Sequence, residues 1–243
     1  MRYSNSAMLV VMVLVAGLAA AEQPFDNYTQ VPAGTEPAEW NGGPSTTAAP
    51  TRALTFWNNR AAFDAAFPGL PTEDWSGTIV AAGAILSCNP PLNSSTNDAC
   101  FPTGGVLPGI EMQINNIGGG QYVVIGTGAL GNAEVWVGPN TFIDDVIFNF
   151  NPAVRAAGLD VVNPMTPGQV YTVEIFGPGG SLGTTNVTDG GIGNFWGVDS
   201  TDVGGITSIV FNGAGDGSHS ELTAYVTFGG TPVPVELQSF DVE

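Results

Sequence analysis

Residues 141–187 read TFIDDVIFNFNPAVRAAGLDVVNPMTPGQVYTVEIFGPGGSLGTTNV, four apolar-rich runs divided by Asn-Pro, Thr-Pro-Gly and Gly-Pro-Gly-Gly breaks. Within VYTVEIF, Tyr171, Val173 and Ile175 alternate with Thr172 and Glu174. That period of two marks a strand with one wet face. The same rhythm predicts strands over 53–57, 79–86, 110–114, 122–125, 133–137, 142–150, 154–162, 170–176, 181–187, 194–198, 206–211 and 221–228. Gly118-Gly119-Gly120 is expected to join two of them as a hairpin. Between the first and second strands, NRAAFDAAF carries Ala62, Phe63, Ala66 and Phe67 at helical spacing. Asn58 is the expected N-cap and Pro68-Gly69 the stop. Many short strands at intervals of about 8–12 residues predict an all-β fold, a two-sheet β-sandwich of jelly-roll-like type with one short N-terminal helix.

The ends of the chain break this rhythm. Residues 1–21 combine Arg2, the apolar run AMLVVMVLVAGL and Ala19-Ala20-Ala21, the pattern of a signal peptide cleaved after Ala21. Residues 22–52 are polar, rich in Pro, Gly, Thr and Ala, and read as a flexible leader. The sandwich is expected over 53–230, and 231–243 form a C-terminal linker or tail. The expected location is secreted or at the cell surface, and not integral to a membrane once the signal is removed.

Charge sharpens this picture. The chain has 22 acidic residues against four basic ones, Arg2, Arg52, Arg60 and Arg155, for a net charge of −18 and no lysine. A surface of this sign repels nucleic acid phosphates and anionic lipid, which removes both as partners. Cys88 and Cys100 flank SCNPPLNSSTNDAC. Two cysteines in an exported chain most often pair, which makes a disulfide the expectation, with a metal pair or a catalytic thiol as the alternatives.

Several stretches resemble a known family. They are LTFWNNRAAFDAAFPGLPTEDWSG, VRAAGLDVVNP, VEIFGPGGSLGTT, GNFWGV and ITSIVFNGAG. Their order is similar to that of bacterial exported proteins of the PEP-CTERM type, over roughly residues 53–229. The resemblance implies a jelly-roll-like sandwich similar to carbohydrate-binding modules, exported and often surface-associated. Two motifs depart from the family pattern. The segment Glu73-Asp74-Trp75-Ser76-Gly77 stands where the family has a DFEG-like stretch, and the last strand lacks the family's IDNV.

Candidate sites follow. Jelly-roll binding modules often tie their first strand to their last with Ca²⁺, which suits oxygen-only ligands. Glu73 and Asp74 from an early strand and Glu221 from the last one are the candidate metal ligands. Exposed tryptophans can stack on sugar rings. Trp196 and Trp75 are the candidate ligand-binding residues among Trp57, Trp75, Trp136, Phe195 and Trp196. One of the adjacent pair Phe195 and Trp196 must face away from the core. Asp216, Ser218, His219, Ser220 and Glu221 lie too close in sequence to form a catalytic triad. Asp144, Asp145, Asp160 and Glu174 are available as paired acids for glycoside hydrolysis. No catalytic residue is assigned.

The expectation is therefore an exported, non-enzymatic protein of the cell surface or extracellular matrix that binds a polysaccharide or matrix and is stabilised by calcium. A secreted polymer-degrading hydrolase and a structural subunit of an extracellular assembly are the alternatives. Oligomeric state stays open.

Overall fold

A computed structural model describes residues 54–115, 119–141, 143–164, 168–189, 194–202, 204–212 and 221–232. The expected signal peptide and leader, the cluster around Asp216 and His219, and the tail from 233 onward lie outside the described residues.

The chain opens with β1 (Leu54–Trp57), α1 (Arg60–Ala66) and β2 (Thr72–Glu73). It continues through β3 (Ile85–Cys88), β4 (Leu92–Asn93), β5 (Ile110–Ile114), β6 (Tyr122–Ile125) and β7 (Trp136–Pro139). The second half is β8 (Val146–Val154), β9 (Ala156–Val162), β10 (Val170–Gly177), β11 (Gly180–Thr188), β12 (Asn194–Ser200), β13 (Ile206–Asn212) and β14 (Leu222–Gly229). Two antiparallel sheets pack as a sandwich. The larger runs β1-β12-β9-β14-β7-β6-β3, with β2 also on β14, and the smaller runs β11-β10-β13-β8-β5-β4. From β8 to β10 and again from β11 to β14 the chain changes sheet at each strand, so most neighbours in a sheet are distant in sequence.

The period-two reading survives at the level of burial. In β10, Tyr171, Val173 and Ile175 are fully buried while Thr172 is exposed. In β8, Val146, Phe148 and Phe150 face the interior. They meet Met112, Leu159, Tyr171, Trp196, Phe211 and Val226 in one core between the sheets. Burying a large side chain of this kind stabilises by about 1.5–3 kcal/mol.

The larger sheet is also covered on its outside, by α1. Asn59, not Asn58, caps that helix, its Oδ1 accepting from the Ala62 N–H at 2.9 Å. Phe63 is fully buried, while Ala62 and Ala66 stay exposed. The reason for the fit lies in two glycines. Gly158 and Gly197 are opposite one another on β9 and β12. A Cβ on Gly158 would sit 2.7 Å from the Phe195 ring, and one on Gly197 would sit 3.0 Å from the Phe63 ring. The missing side chains leave room for these two rings to pack against the strands.

Two of the strand expectations need correction, whereas the expected disulfide forms. The strand predicted over 79–86 is reduced to Ile85–Cys88, because a turn at Gly83 (φ 76°) interrupts it, with Ala84 N–H bonding the Ala81 carbonyl. Ile79, Ile85 and Leu86 are left exposed. The strands on either side of the Gly118–Gly120 break form no hairpin: β5 lies in the smaller sheet and β6 in the larger. Local glycine content shows a turn but not which sheet the chain enters next. Cys88 and Cys100 are joined as a disulfide, closing a loop worth about 3 kcal/mol in the chain-entropy account.

Candidate functional site

The candidate calcium ligands do not converge. Glu73 on β2 sits opposite Val226 in the middle of β14, whereas Glu221 precedes the first residue of that strand. Five residues of extended chain place them about 16 Å apart along that strand. The Glu73 carboxylate is already engaged, Oε1 accepting from Trp75 N–H at 2.7 Å and Oε2 from Leu107 N–H at 2.6 Å. Asp74 accepts from Ser76 N–H at 2.9 Å in its own turn. The three acids therefore do not fit one cation. Among the described residues, the only three ligating atoms that lie close together belong to Cys88, Asp98 and Cys100. Both of those sulfurs are committed to the disulfide.

The tryptophan platform is overturned as well. Trp75 is 0% exposed and Trp196 6% exposed. Trp196 points into the sandwich, edge-on to Phe211 at 5.4 Å between centroids. Phe195 is the outward neighbour, as alternation requires, but Phe63 covers it at 5.4 Å. Both faces of β12 are therefore occupied. The candidate acids are also divided. Asp160 lies on the outside of the larger sheet, ion-paired with Arg60, whereas Glu174 lies on the outside of the smaller sheet, opposite Thr184 and Val210.

That outer face of the smaller sheet holds what the tryptophan-based reading missed. Cross-strand register aligns Asn93, Glu111, Asn149, Ser208, Phe176 and Ser181 in one row, each directly opposite the next. At about 4.8 Å per strand, five steps span roughly 24 Å. A second row holds Gln113, Ile147, Val210, Glu174 and Thr184. Beyond it, Asp145 accepts from Asn115 Nδ2 at 2.6 Å and Asn212 Nδ2 at 3.2 Å. Thr172 Oγ1 donates to Asn186 Oδ1 at 3.4 Å on the same face. The result is a broad surface of amides, hydroxyls and carboxylates, with Ile147 and Val210 in the second row and one outward aromatic ring, Phe176. Asn149 and Asn151 in the string FNFN carried the signal, being the polar positions that alternate with inward Phe148 and Phe150.

At the β4 end of the first row the face deepens into a groove of about 350 Å³, lined by Asn93, Ser95, Glu111, Asn149 and Asn151. A second depression, about 450 Å³, lies beside the disulfide loop. Its carboxylate, Asp98, is used up by the N–H groups of Cys100 and Phe101 and by Tyr122 OH, so it has little left to recognise a ligand.

Three carboxyls are held above their ordinary range by burial. Glu73 is shifted up against the opposing pull of the Leu107 and Trp75 N–H groups. Asp145 is shifted up against its Asn115 hydrogen bond, and Asp160 against the Arg60 charge. Each therefore binds its proton more tightly folded than unfolded, so stability falls as pH rises. The contribution is complete below the ordinary values of 4.5 for Glu and 3.8 for Asp and is lost as pH passes the raised folded values. Self-repulsion of the net charge of −18 acts in the same direction. Melting in a pH series is expected to give a higher Tm near pH 5 than near pH 8; a Tm that climbs across that interval would contradict this account.

No helix among the described residues is long and apolar enough to cross a membrane. No family model, curated protein or solved structure matches this chain.

Proposed function

We propose that this chain is an exported, non-enzymatic β-sandwich protein of the cell surface or extracellular matrix that binds glycan through the outer face of its smaller sheet. The observation that carries the reading is the row Asn93–Glu111–Asn149–Ser208–Phe176. A sugar polymer presents closely spaced hydroxyls, each a donor and an acceptor. Amides and carboxylates satisfy such groups, and a partly exposed ring can cover an apolar sugar face. A pyranose chain lying across the strands advances by roughly one unit per strand, given the spacing of about 4.8 Å. The N-terminal sequence supports export. The calcium ion expected from sequence has no place in this reading, because Glu73 and Glu221 lie about five residues apart along β14 and the Glu73 carboxylate is already held by two N–H groups.

Affinity electrophoresis of the mature protein through gels containing cellulose derivative, xylan, mannan, laminarin and polygalacturonate tests the reading. Retardation by at least one polymer is expected, without release of reducing ends. Ser208→Arg, in the middle of the row, should abolish it. Tyr225→Ala, over Arg60 on the other sheet, should leave it intact. Free migration of the wild type in every gel would sink the proposal.

A further inference from the structure

We infer that the groove between β4, β5 and β8 is a subsite for a neutral sugar ring, and that Glu111 at its centre excludes acidic glycans. This deepens, and rests on, the glycan-binding reading above.

The groove is prebuilt. Glu111 Oε2 accepts from Asn93 Nδ2 at 2.9 Å and Oε1 from Gln113 Nε2 at 2.5 Å. Asn93 is fixed in turn, its Oδ1 accepting from Ser95 N–H at 2.9 Å and its own N–H donating to Thr96 Oγ1 at 2.9 Å. The carboxylate is thus oriented before any ligand arrives, and each of its oxygens keeps a lone pair for a further donor. The two amides on the opposite wall differ. The side chains of Asn149 and Asn151 make no hydrogen bond among the described residues. The Asn151 main chain is pinned, its N–H bonding the Gly109 carbonyl at 3.0 Å. Two uncommitted amides facing one committed carboxylate offer both donors and acceptors to adjacent hydroxyls. The volume of about 350 Å³ is at the small end of ligand pockets, a size for one or two rings rather than a long stretch of polymer.

Charge decides the class of ligand. The lining contains no basic residue. The two described arginines both lie over aromatic rings on the side of the larger sheet, Arg60 over Phe195 and Tyr225, and Arg155 over Phe67. A uronic acid or sulfated sugar entering the groove would meet Glu111 with no counter-charge. A neutral ring meets only partners for its hydroxyls.

The test uses the mature protein and a neutral polysaccharide that retards it, together with polygalacturonate. It is run at physiological ionic strength, where charges beyond about 8 Å are screened and Glu111 dominates the groove. Asn149→Ala and Asn151→Ala are expected to weaken neutral binding about tenfold together, equivalent to about 1.4 kcal/mol. Asn186→Ala, on the same face but at the far edge, should change it less than about twofold, since distant sites act independently. Unchanged thermal melts would confirm that these surface variants fold. Wild type should ignore polygalacturonate, and Glu111→Gln should bind it measurably. If neutral binding persists undiminished in the asparagine variants, the subsite is overturned while the glycan reading stands. Equal wild-type affinity for neutral and acidic polymers, or no gain in Glu111→Gln, overturns the role of Glu111. Absence of binding to every polymer removes the glycan reading itself.

Discussion

Gly77→Ala is expected to cost this fold about 3–4 kcal/mol, one of the largest losses from the smallest possible side chain. A Cβ on Gly77 would lie 2.0 Å from the Gly105 carbonyl oxygen and 2.7 Å from its carbon. These are backbone atoms, which cannot rotate away as the tip of a side chain can. Gly105 is itself confined, since a Cβ there would be 2.8 Å from the Gly77 carbonyl oxygen and 2.9 Å from Pro102. The two segments must therefore separate. The Leu107 N–H that binds Glu73 follows Gly105 on the same segment, and Trp75, 0% exposed, precedes Gly77. Overpacking of an unyielding site costs about 1–3 kcal/mol, and losing a buried hydrogen bond adds to it. Gly83→Ala is the control. Gly83 has φ 76° but nothing within 4 Å of an added Cβ, so only backbone strain of about 1–2 kcal/mol applies. Urea denaturation of both variants measures the difference. Equal losses would mean that the close approach of the two loops does not matter.

Arg60→Ala is expected to destabilise by about 2–3 kcal/mol. Arg60 reaches from α1 across the outside of the larger sheet. Its Nη2 pairs with Asp160, its Nη1 donates to Thr227 Oγ1 at 3.1 Å, and its guanidinium lies 4.7 Å from the Phe195 ring centre. Removing it strands a carboxylate whose side chain is only 10% exposed. Breaking a fully buried pair costs about 3–5 kcal/mol. Arg60 is 30% exposed, so water and salt reach the site and reduce that figure. Loss of the cation–π contact adds about 0.5–1 kcal/mol to the cost. Adding Asp160→Asn to Arg60→Ala should recover part of the loss, because the unpaired charge is then gone. A double variant no more stable than Arg60→Ala, or a single variant within about 0.5 kcal/mol of wild type, would show that the pair contributes nothing beyond surface packing.

Both predictions concern contacts that no reading of the string could supply. Arg60 and Asp160 are 100 positions apart, and nothing in RAAFDAA or AAGLDVV ties one to the other. The same holds for the corrected sites. Glu73 from an early strand and Glu221 before the last one suited a cation tying first strand to last, yet register sets Glu73 beside Val226 in the middle of β14, five residues from Glu221. Trp196 was expected to be exposed because a regular strand must turn one of two adjacent aromatics outward. It did turn Phe195 outward, but α1 then covered that face.

What the sequence determined by itself was local. Alternation of apolar and polar residues set which side chains of β8 and β10 face inward, because a strand repeats every two residues whatever its neighbours are. Gly and Pro placed the turns through their own backbone preferences. The short loop between Cys88 and Cys100 brought the two thiols within reach of each other. Sheet membership and cross-strand register were decided only by the tertiary structure. Successive strands mostly cross between the two layers, so pairing is settled by how the whole interior packs. The candidate binding face follows from that second kind of information. Asn93, Glu111, Asn149, Ser208 and Phe176 come from five strands, and only the packing of the core beneath them brings them into one line.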